Sequence, residues 1–237
     1  MITPEKTETV APTEKATYPM RERRYLFWLL VTVGGFFGAY TYAVRGGIFC
    51  NAQTANIVLF SMALARLDFS EVGRLLIPIS AYFVGIFLSE GLGRLKKKPS
   101  RISFGTLLVG FEALFVVAIA LLPESLPHFI AQISLSFITA MQFNTFRQNE
   151  GIPMATTFVT AHIRETGSYL VHAVAEQDRL ARHRFLMHGA MVAFFILGGV
   201  VSTLLCTVLG TYALFGALPL LSIAFALLLT DDLKRKK

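Results

Sequence analysis

Long apolar runs are the feature that most constrains the fold of this chain. Inside a bilayer every backbone N–H and C=O group must find a partner within the protein, so only α-helices and closed β-barrels span it. A spanning helix needs about 17–25 apolar residues. Runs that approach or exceed this length cover residues 25–44, 102–123, 129–146, 185–209 and 212–230, and a shorter run covers residues 75–89.

The composition supports a membrane protein of the all-α class. Apolar residues make up 54% of the chain and charged residues 16%, whereas a soluble domain carries about 25% charged residues. The net charge of +7 comes from basic clusters beside the apolar runs, which is typical of topology signals and contacts with anionic lipid. A nucleic-acid partner is therefore not expected. Residues 1–24 predict a disordered cytosolic tail, because the run that follows is too long for a signal peptide.

Two short polar motifs interrupt the apolar pattern at matching places. One covers residues 51–56 and the other residues 156–162. Each follows a run of spanning length and opens an apolar stretch too short to cross a bilayer, since Arg66 ends the first and Arg164 interrupts the second. Either the short segments cross, which gives seven or eight spans, or each is a re-entrant hairpin, which gives six.

The positions of Lys and Arg favour six spans. Lys and Arg accumulate on the cytoplasmic side of a membrane protein. With six spans and the N-terminal tail inside, only Arg45, Arg66 and Arg74 lie outside, whereas eight spans place the basic cluster of residues 94–101 outside. Six spans also place both termini in the cytoplasm.

Parity then predicts an inverted repeat. Each half contains three spans, an odd number, so the second half enters from the opposite face. The predicted domain covers residues 25–230, with repeat one at 25–123, repeat two at 126–230 and a basic cytosolic tail at 231–237. The pair Thr54-Ala55 matches Thr160-Ala161.

At these residues the chain resembles the YoaK-type family of uncharacterised bacterial integral membrane proteins. The resemblance covers most of the chain from about Tyr25 onward and rests on residues 35–39, 49–56, 141–142 and 156–161. The family usually has Gly where this chain has Ala55 and Ala161, and often has Asp where it has Gly38 and Asn where it has Phe143. The resemblance implies a multi-pass protein of the bacterial inner membrane and supplies no substrate.

Re-entrant hairpins of this kind would bring two helix N-termini to the middle of the membrane, where free N–H groups and the helix dipole favour negative charge. The simpler interpretation is that the motif residues cap helices and turns. The candidate substrate-binding residues are Asn51, Gln53, Thr54, Asn56, Gln142, Asn144, Thr156, Thr157, Thr160 and His162.

Other residues receive separate interpretations. Glu112 lies in the middle of an apolar run and is the candidate for proton coupling, with a structural hydrogen bond as the alternative. His188 is expected at the membrane interface, and the spacing of Gly34 and Gly38 predicts close helix packing. The sequence contains no metal-ligand spacing, cofactor motif or catalytic triad, so no metal, cofactor or enzyme activity is expected.

The sequence therefore predicts a transporter or channel for a small solute, with helix dipoles that favour an anion, a central site between the repeats and the lipid bilayer as surroundings. Its alternative is a non-transporting scaffold that binds a partner through the basic cytosolic face. A homo-oligomer fits either hypothesis.

Overall fold

The computed structural model describes residues 18–95, 101–123 and 126–235. The described chain is mainly helical. Its α-helices are α1 Arg24–Val44, α2 Gln53–Ala65, α3 Phe69–Leu95, α4 Phe104–Ala120, α5 His128–Thr145, α6 Thr160–Ala175, α7 Arg179–Leu209 and α8 Leu218–Lys234. Short 3-10 helices cover Met20–Glu22 and Gly210–Ala217, and β1 Gln148–Asn149 pairs antiparallel with β2 Ile152–Pro153.

Three stretches of the described chain are long and apolar enough to cross a membrane. They are Arg24–Val44, Phe69–Arg94 and Arg179–Lys234, the last of which contains α7, a 3-10 helix and α8. Gln53–Ala65 and Phe104–Ala120 are shorter apolar helices. Long apolar helices of this kind indicate a membrane protein.

Two pairs of helices pack side by side in the same direction. Trp28 of α1 stacks on Phe194 of α7, and one turn further along, a methyl group on Gly198 would overlap the carbonyl of Thr32. In the other pair, α3 lies along α5: a methyl group on Gly85 would overlap the carbonyl of Phe137. Close approach of small residues of this kind is typical of helix packing in membranes.

The shorter helices α2 and α6 each pack on the long helix that follows in the chain. α6 runs antiparallel to α7, because His162 contacts His188 and Tyr169 contacts Arg184. α2 packs against α3 through a small cluster of Ile48, Ala63 and Leu75. α4 and α8 contact each other, and the main core lies between them, α1 and α5.

The ends of the chain depart from the predicted tails. Within the predicted N-terminal tail, Met20–Glu22 form a helical turn and Met20 N donates to Asp231 Oδ2 at 3.3 Å. At the other end α8 continues to Lys234, and Asp232 accepts from Thr106 Oγ1 at 2.6 Å. Residues 1–17, 236 and 237 lie outside the described residues. The carboxylates at the end of α8 therefore bind the neighbouring helix ends, which gives these terminal residues a packing role.

Candidate functional site

The chain turns back along α1 immediately after that helix ends at Val44. Gly46 and Gly47 have φ values of +87° and +73°, a region that glycine enters without steric cost. The returning segment is fixed by Cys50, whose N–H donates to Thr41 Oγ1 at 3.1 Å. It thus brings residues 51–56 beside the middle of α1.

Asn56 fixes the shape of the first polar motif. Its Oδ1 accepts from Phe49 N at 3.3 Å and its Nδ2 donates to Phe49 O at 2.7 Å. The same Nδ2 lies 3.1 Å from Gln53 Oε1, and Gln53 Nε2 donates to Cys50 O at 3.0 Å. Asn56 is fully buried, so these bonds satisfy backbone groups that have no access to water.

The second polar motif is reached through the β-hairpin. Glu150 and Gly151 form its turn with positive φ, and the Glu150 carboxylate accepts two bonds from the Arg24 guanidinium, at 3.0 and 2.7 Å. This pair places the hairpin at the beginning of α1. The following residues reach the middle of α1, where a methyl group on Gly34 would lie 2.5 Å from Thr156 O.

His162 repeats in the second motif the arrangement that Asn56 makes in the first. Its Nε2 lies 3.3 Å from Ala155 N and 2.9 Å from Ala155 O. In both motifs a buried side chain therefore holds the backbone of the residue seven positions earlier. The sequence does not reveal this match, because one side chain is an amide and the other an imidazole.

The two motifs meet at Asn51. Its Nδ2 donates to Gly34 O at 2.9 Å and to Thr157 O at 2.6 Å. Gly38 makes room for this amide, since a Cβ there would lie 2.8 Å from Asn51 Oδ1. Gly34 and Gly38 therefore face the two polar motifs. We call the contact of Asn51, Thr157 and Gly34 the junction.

The other candidate residues take several positions around the junction. Thr156 and Thr157 are fully buried, and Thr156 Oγ1 has no hydrogen-bond partner among the described residues. Thr54 and Thr160, at the starts of α2 and α6, are exposed at the protein surface. Both hydroxyls are therefore accessible from outside the helix bundle.

Two further candidates lie on α5. Gln142 is buried and its Nε2 donates to Leu30 O at 3.2 Å, one helical turn from Gly34. Asn144 lies further along, where its Nδ2 donates to Ser89 Oγ at 2.6 Å. The structure thus brings Gln142 towards the junction and places Asn144 between the ends of α3 and α5.

Glu112 is fully buried in α4. Neither of its carboxylate oxygens has a hydrogen-bond partner among the described residues. An ionisable group in this setting is a candidate functional residue.

His188, which is expected at the membrane interface, is buried in the protein at 3% exposure and faces His162. The two Nδ1 atoms are 2.9 Å apart. His162 and His188 both line a cavity of about 500 Å³ between the end of α5, the hairpin, α6 and α7. The sequence feature that could have identified His188 as a candidate is its position as an ionisable residue inside an apolar run.

Within the part of the chain that the structure describes, no group of three or more His, Cys, Asp or Glu side chains is arranged to hold a metal ion. Cys50 and Cys206 are both buried as free thiols. The chemistry that the described residues offer is therefore hydrogen bonding at the junction, a buried carboxyl and a pair of imidazoles.

Comparison with known proteins gives a family. No curated protein and no solved structure shows significant similarity to the chain. A family model described as "Protein of unknown function (DUF1275)" matches residues 26–227, which include most of α1, all of α2 to α7, both motifs and most of α8. The chain belongs to this DUF1275 family of unknown function.

Proposed function

We propose that the chain is a membrane transporter or channel for a small solute, with a preference for an anion. In this proposal six helices span the membrane, and α2 and α6 are half-helices that enter from opposite faces. The halves, residues 25–123 and 126–230, are inverted repeats around a central pathway. The basic clusters and the resemblance to the YoaK-type family support a bacterial inner membrane with both termini in the cytoplasm.

Equivalent contacts in the two halves support the repeat. α1 packs along α7 as α5 packs along α3, and each pair crosses at a glycine, Gly198 and Gly85. α2 packs on α3 as α6 packs on α7. Asn56 and His162 each contact the backbone of the residue seven positions earlier, Phe49 and Ala155.

The single observation that carries the proposal is the junction. It joins the starts of α2 and α6, and both helices point away from it towards opposite ends of α1. The Asn51 amide uses its two hydrogens on Gly34 O and Thr157 O. We infer that the junction is the closed gate, and that its opening frees these groups, with Gln53, Thr156 and the helix N-termini, to bind solute.

Reconstitution into liposomes tests this proposal. The wild-type protein should carry at least one solute from a panel of anions, carboxylates and uncharged metabolites. Asn51→Ala removes both bonds of the gate, each worth about 1 kcal/mol, so we expect a passive leak about 30-fold higher. Ser168→Ala, on the exposed side of α6, is the control and should behave as wild type.

Two results would overturn the proposal. One is the absence of protein-dependent flux for every solute on the panel, with correctly folded wild-type protein in the vesicles. The other is a leak in Asn51→Ala no greater than that in Ser168→Ala, since the junction would then close nothing.

A scaffold that binds a partner is the second candidate, and a cavity on the face predicted to be cytoplasmic favours it. This cavity has a volume of about 680 Å³ between the ends of α3, α4 and α5, and Arg21, Arg94 and Arg147 line it. The predicted basic residues Lys96, Lys97 and Lys98 lie outside the described residues. A scaffold should lose function on Arg94→Gln and keep it on Asn56→Ala and Thr160→Ala, whereas a transporter should show the reverse order.

A further inference from the structure

In the neutral pair, a single hydrogen lies between His162 Nδ1 and His188 Nδ1. His162 Nε2 lies 2.9 Å from Ala155 O and 3.3 Å from Ala155 N, and we assign its hydrogen to the shorter contact, so that Nε2 donates to Ala155 O. The Nδ1 of His162 is then an acceptor, and the hydrogen in the 2.9 Å Nδ1–Nδ1 contact belongs to His188. This tautomer assignment follows from the hydrogen-bond network.

One position on this histidine pair is left for an additional proton. In the described part of the chain, His188 Nε2 makes no hydrogen bond. Its lone pair therefore has no protein partner, although the residue is 97% buried against the helices and lines the cavity of about 500 Å³. A proton that binds there places a positive charge on a pair that is otherwise neutral.

The charged groups of this cavity favour an anion beside that proton. Arg147, which follows α5, and Arg164 of α6 line it, against one acid, Glu165, which pairs with Arg164 at 3.1 Å. The cavity also meets the first turn of α6, whose N-cap residue Val159 provides no side-chain cap. The free N–H groups and the dipole of α6 add to the positive potential.

The remaining neighbours of the pair complete its electrostatic surroundings. Tyr169 of α6 stacks on His188 with ring centroids 5.8 Å apart. Arg184 of α7 lies over Tyr169 and donates to its hydroxyl at 3.0 Å. Arg147 also contacts Glu90 and Asn144 of α3 and α5. Guanidinium groups thus outnumber carboxylates around the pair.

We propose that this cavity binds a small carboxylate together with one proton. Arg147 and Arg164 hold the carboxylate, for which the guanidinium fork is well suited, and the His162–His188 pair holds the proton. A volume of about 500 Å³ lies within the range of small-molecule sites. The inference rests on the proposed transport function and names its solute class and coupling ion.

The same geometry connects the cavity to the junction. His162 holds Ala155, which lies two residues before Thr157, and the Thr157 carbonyl accepts from Asn51. A charge on the pair therefore acts on the segment that forms the gate. Carboxylate and proton bind cooperatively, because each raises the affinity for the other by the same factor.

Calorimetry on the purified full-length protein in detergent tests the inference without any measurement of flux. Acetate, pyruvate and succinate are titrated at pH 7 in two buffers of different ionisation enthalpy, which gives the number of protons taken up per ligand. We expect proton uptake with the wild type and none with His188→Gln. Arg164→Gln should weaken binding about tenfold, as expected for a lost charge-assisted bond.

Two exposed residues of the same helices provide matched controls: His172→Gln on α6 and Arg182→Gln on α7 should leave both quantities unchanged. If His188→Gln does not fold, the wild type decides alone, because coupling requires tighter acetate binding at pH 6 than at pH 8. Equal binding of chloride or phosphate would overturn the carboxylate assignment, and binding without proton uptake would overturn the role of the histidines. Flux of an uncharged solute without carboxylate binding would refute this inference and leave the transport proposal standing.

Discussion

At the scale of single residues, Asn56 and Thr54 show how different two neighbouring candidates are. Both belong to the first polar motif, and both are predicted to bind substrate. Asn56 is fully buried and holds both polar groups of the Phe49 backbone. Thr54 is exposed. Asn56 therefore maintains the shape of the motif, while the Thr54 side chain lies at the surface.

This difference gives a stability prediction. Asn56→Ala leaves a buried N–H and a buried C=O of Phe49 without partners, so we expect a loss of about 2 kcal/mol or more in the free energy of unfolding. Thr54→Ala should change it by less than about 0.5 kcal/mol. Unfolding of the purified variants in detergent measures both. Similar losses for the two variants would contradict the assignment of Asn56 as the structural residue.

The sequence identified the polar motifs but not the direction of each side chain. Whether Asn56 points inward depends on how the segment after Val44 docks on α1, which two positive φ angles and the bond from Cys50 to Thr41 decide. The burial of His188 within the protein could not be predicted for a similar reason. Its burial depends on α6, whose course beside α7 is a tertiary property.

At the scale of helices, three glycines of α1 lie in close contact with other segments of the chain. Gly34 and Gly38 face the polar motifs, and Gly35 faces the backbone of Phe195 in α7. The spacing of Gly34 and Gly38 had predicted contact between helices. In the structure, the irregular backbone of the two polar motifs packs against these glycines instead. Membrane proteins tolerate irregular backbone where protein surrounds it.

The adjacent glycines of α7 provide a test of the helix crossing. A methyl group on Gly198 would overlap the Thr32 carbonyl, whereas on Gly199 the nearest atom, Gly35 O, would be 3.8 Å away. Gly198→Ala should therefore destabilise the protein by about 1–3 kcal/mol, and Gly199→Ala should be neutral or stabilising. Thermal unfolding of the two variants distinguishes them. Equal tolerance of both would mean that α1 and α7 are further apart than described.

Helix lengths were predicted less well than helix positions. The apolar run of residues 75–89 lies inside α3, which extends over Phe69–Leu95. Charged residues did not end this helix because they pair along it: Arg74 with Glu71 at 2.6 Å and Arg94 with Glu90 at 3.1 Å. Pairs at these spacings support a helix. The apolar run therefore marks the centre of α3 and understates its length.

At the scale of the whole molecule, the contacts of both motifs have the same consequence for the chain path. Arg74 at the start of α3 donates to Gly46 O at 2.6 Å, so α2 ends near the end of α1 from which the chain came. The hairpin after α5 binds Arg24 at the start of α1, and α6 runs antiparallel to α7. Each polar motif thus lies at the turn of a re-entering segment, which starts at one end of the helix bundle and returns to the same end.

This chain path makes a prediction about membrane topology that single cysteines can test. Single cysteines are introduced into a chain without Cys50 and Cys206. Tyr42→Cys and Arg66→Cys flank the first re-entering segment, and Gln148→Cys and His172→Cys flank the second. All four positions are exposed. A membrane-impermeant maleimide should label the first two from outside the cell and the last two only in inside-out vesicles. If α2 crossed the bilayer, Tyr42→Cys and Arg66→Cys would react from opposite sides. Because parity links the halves, that result would place α3 to α5 in the opposite orientation and remove the basis for an inverted repeat.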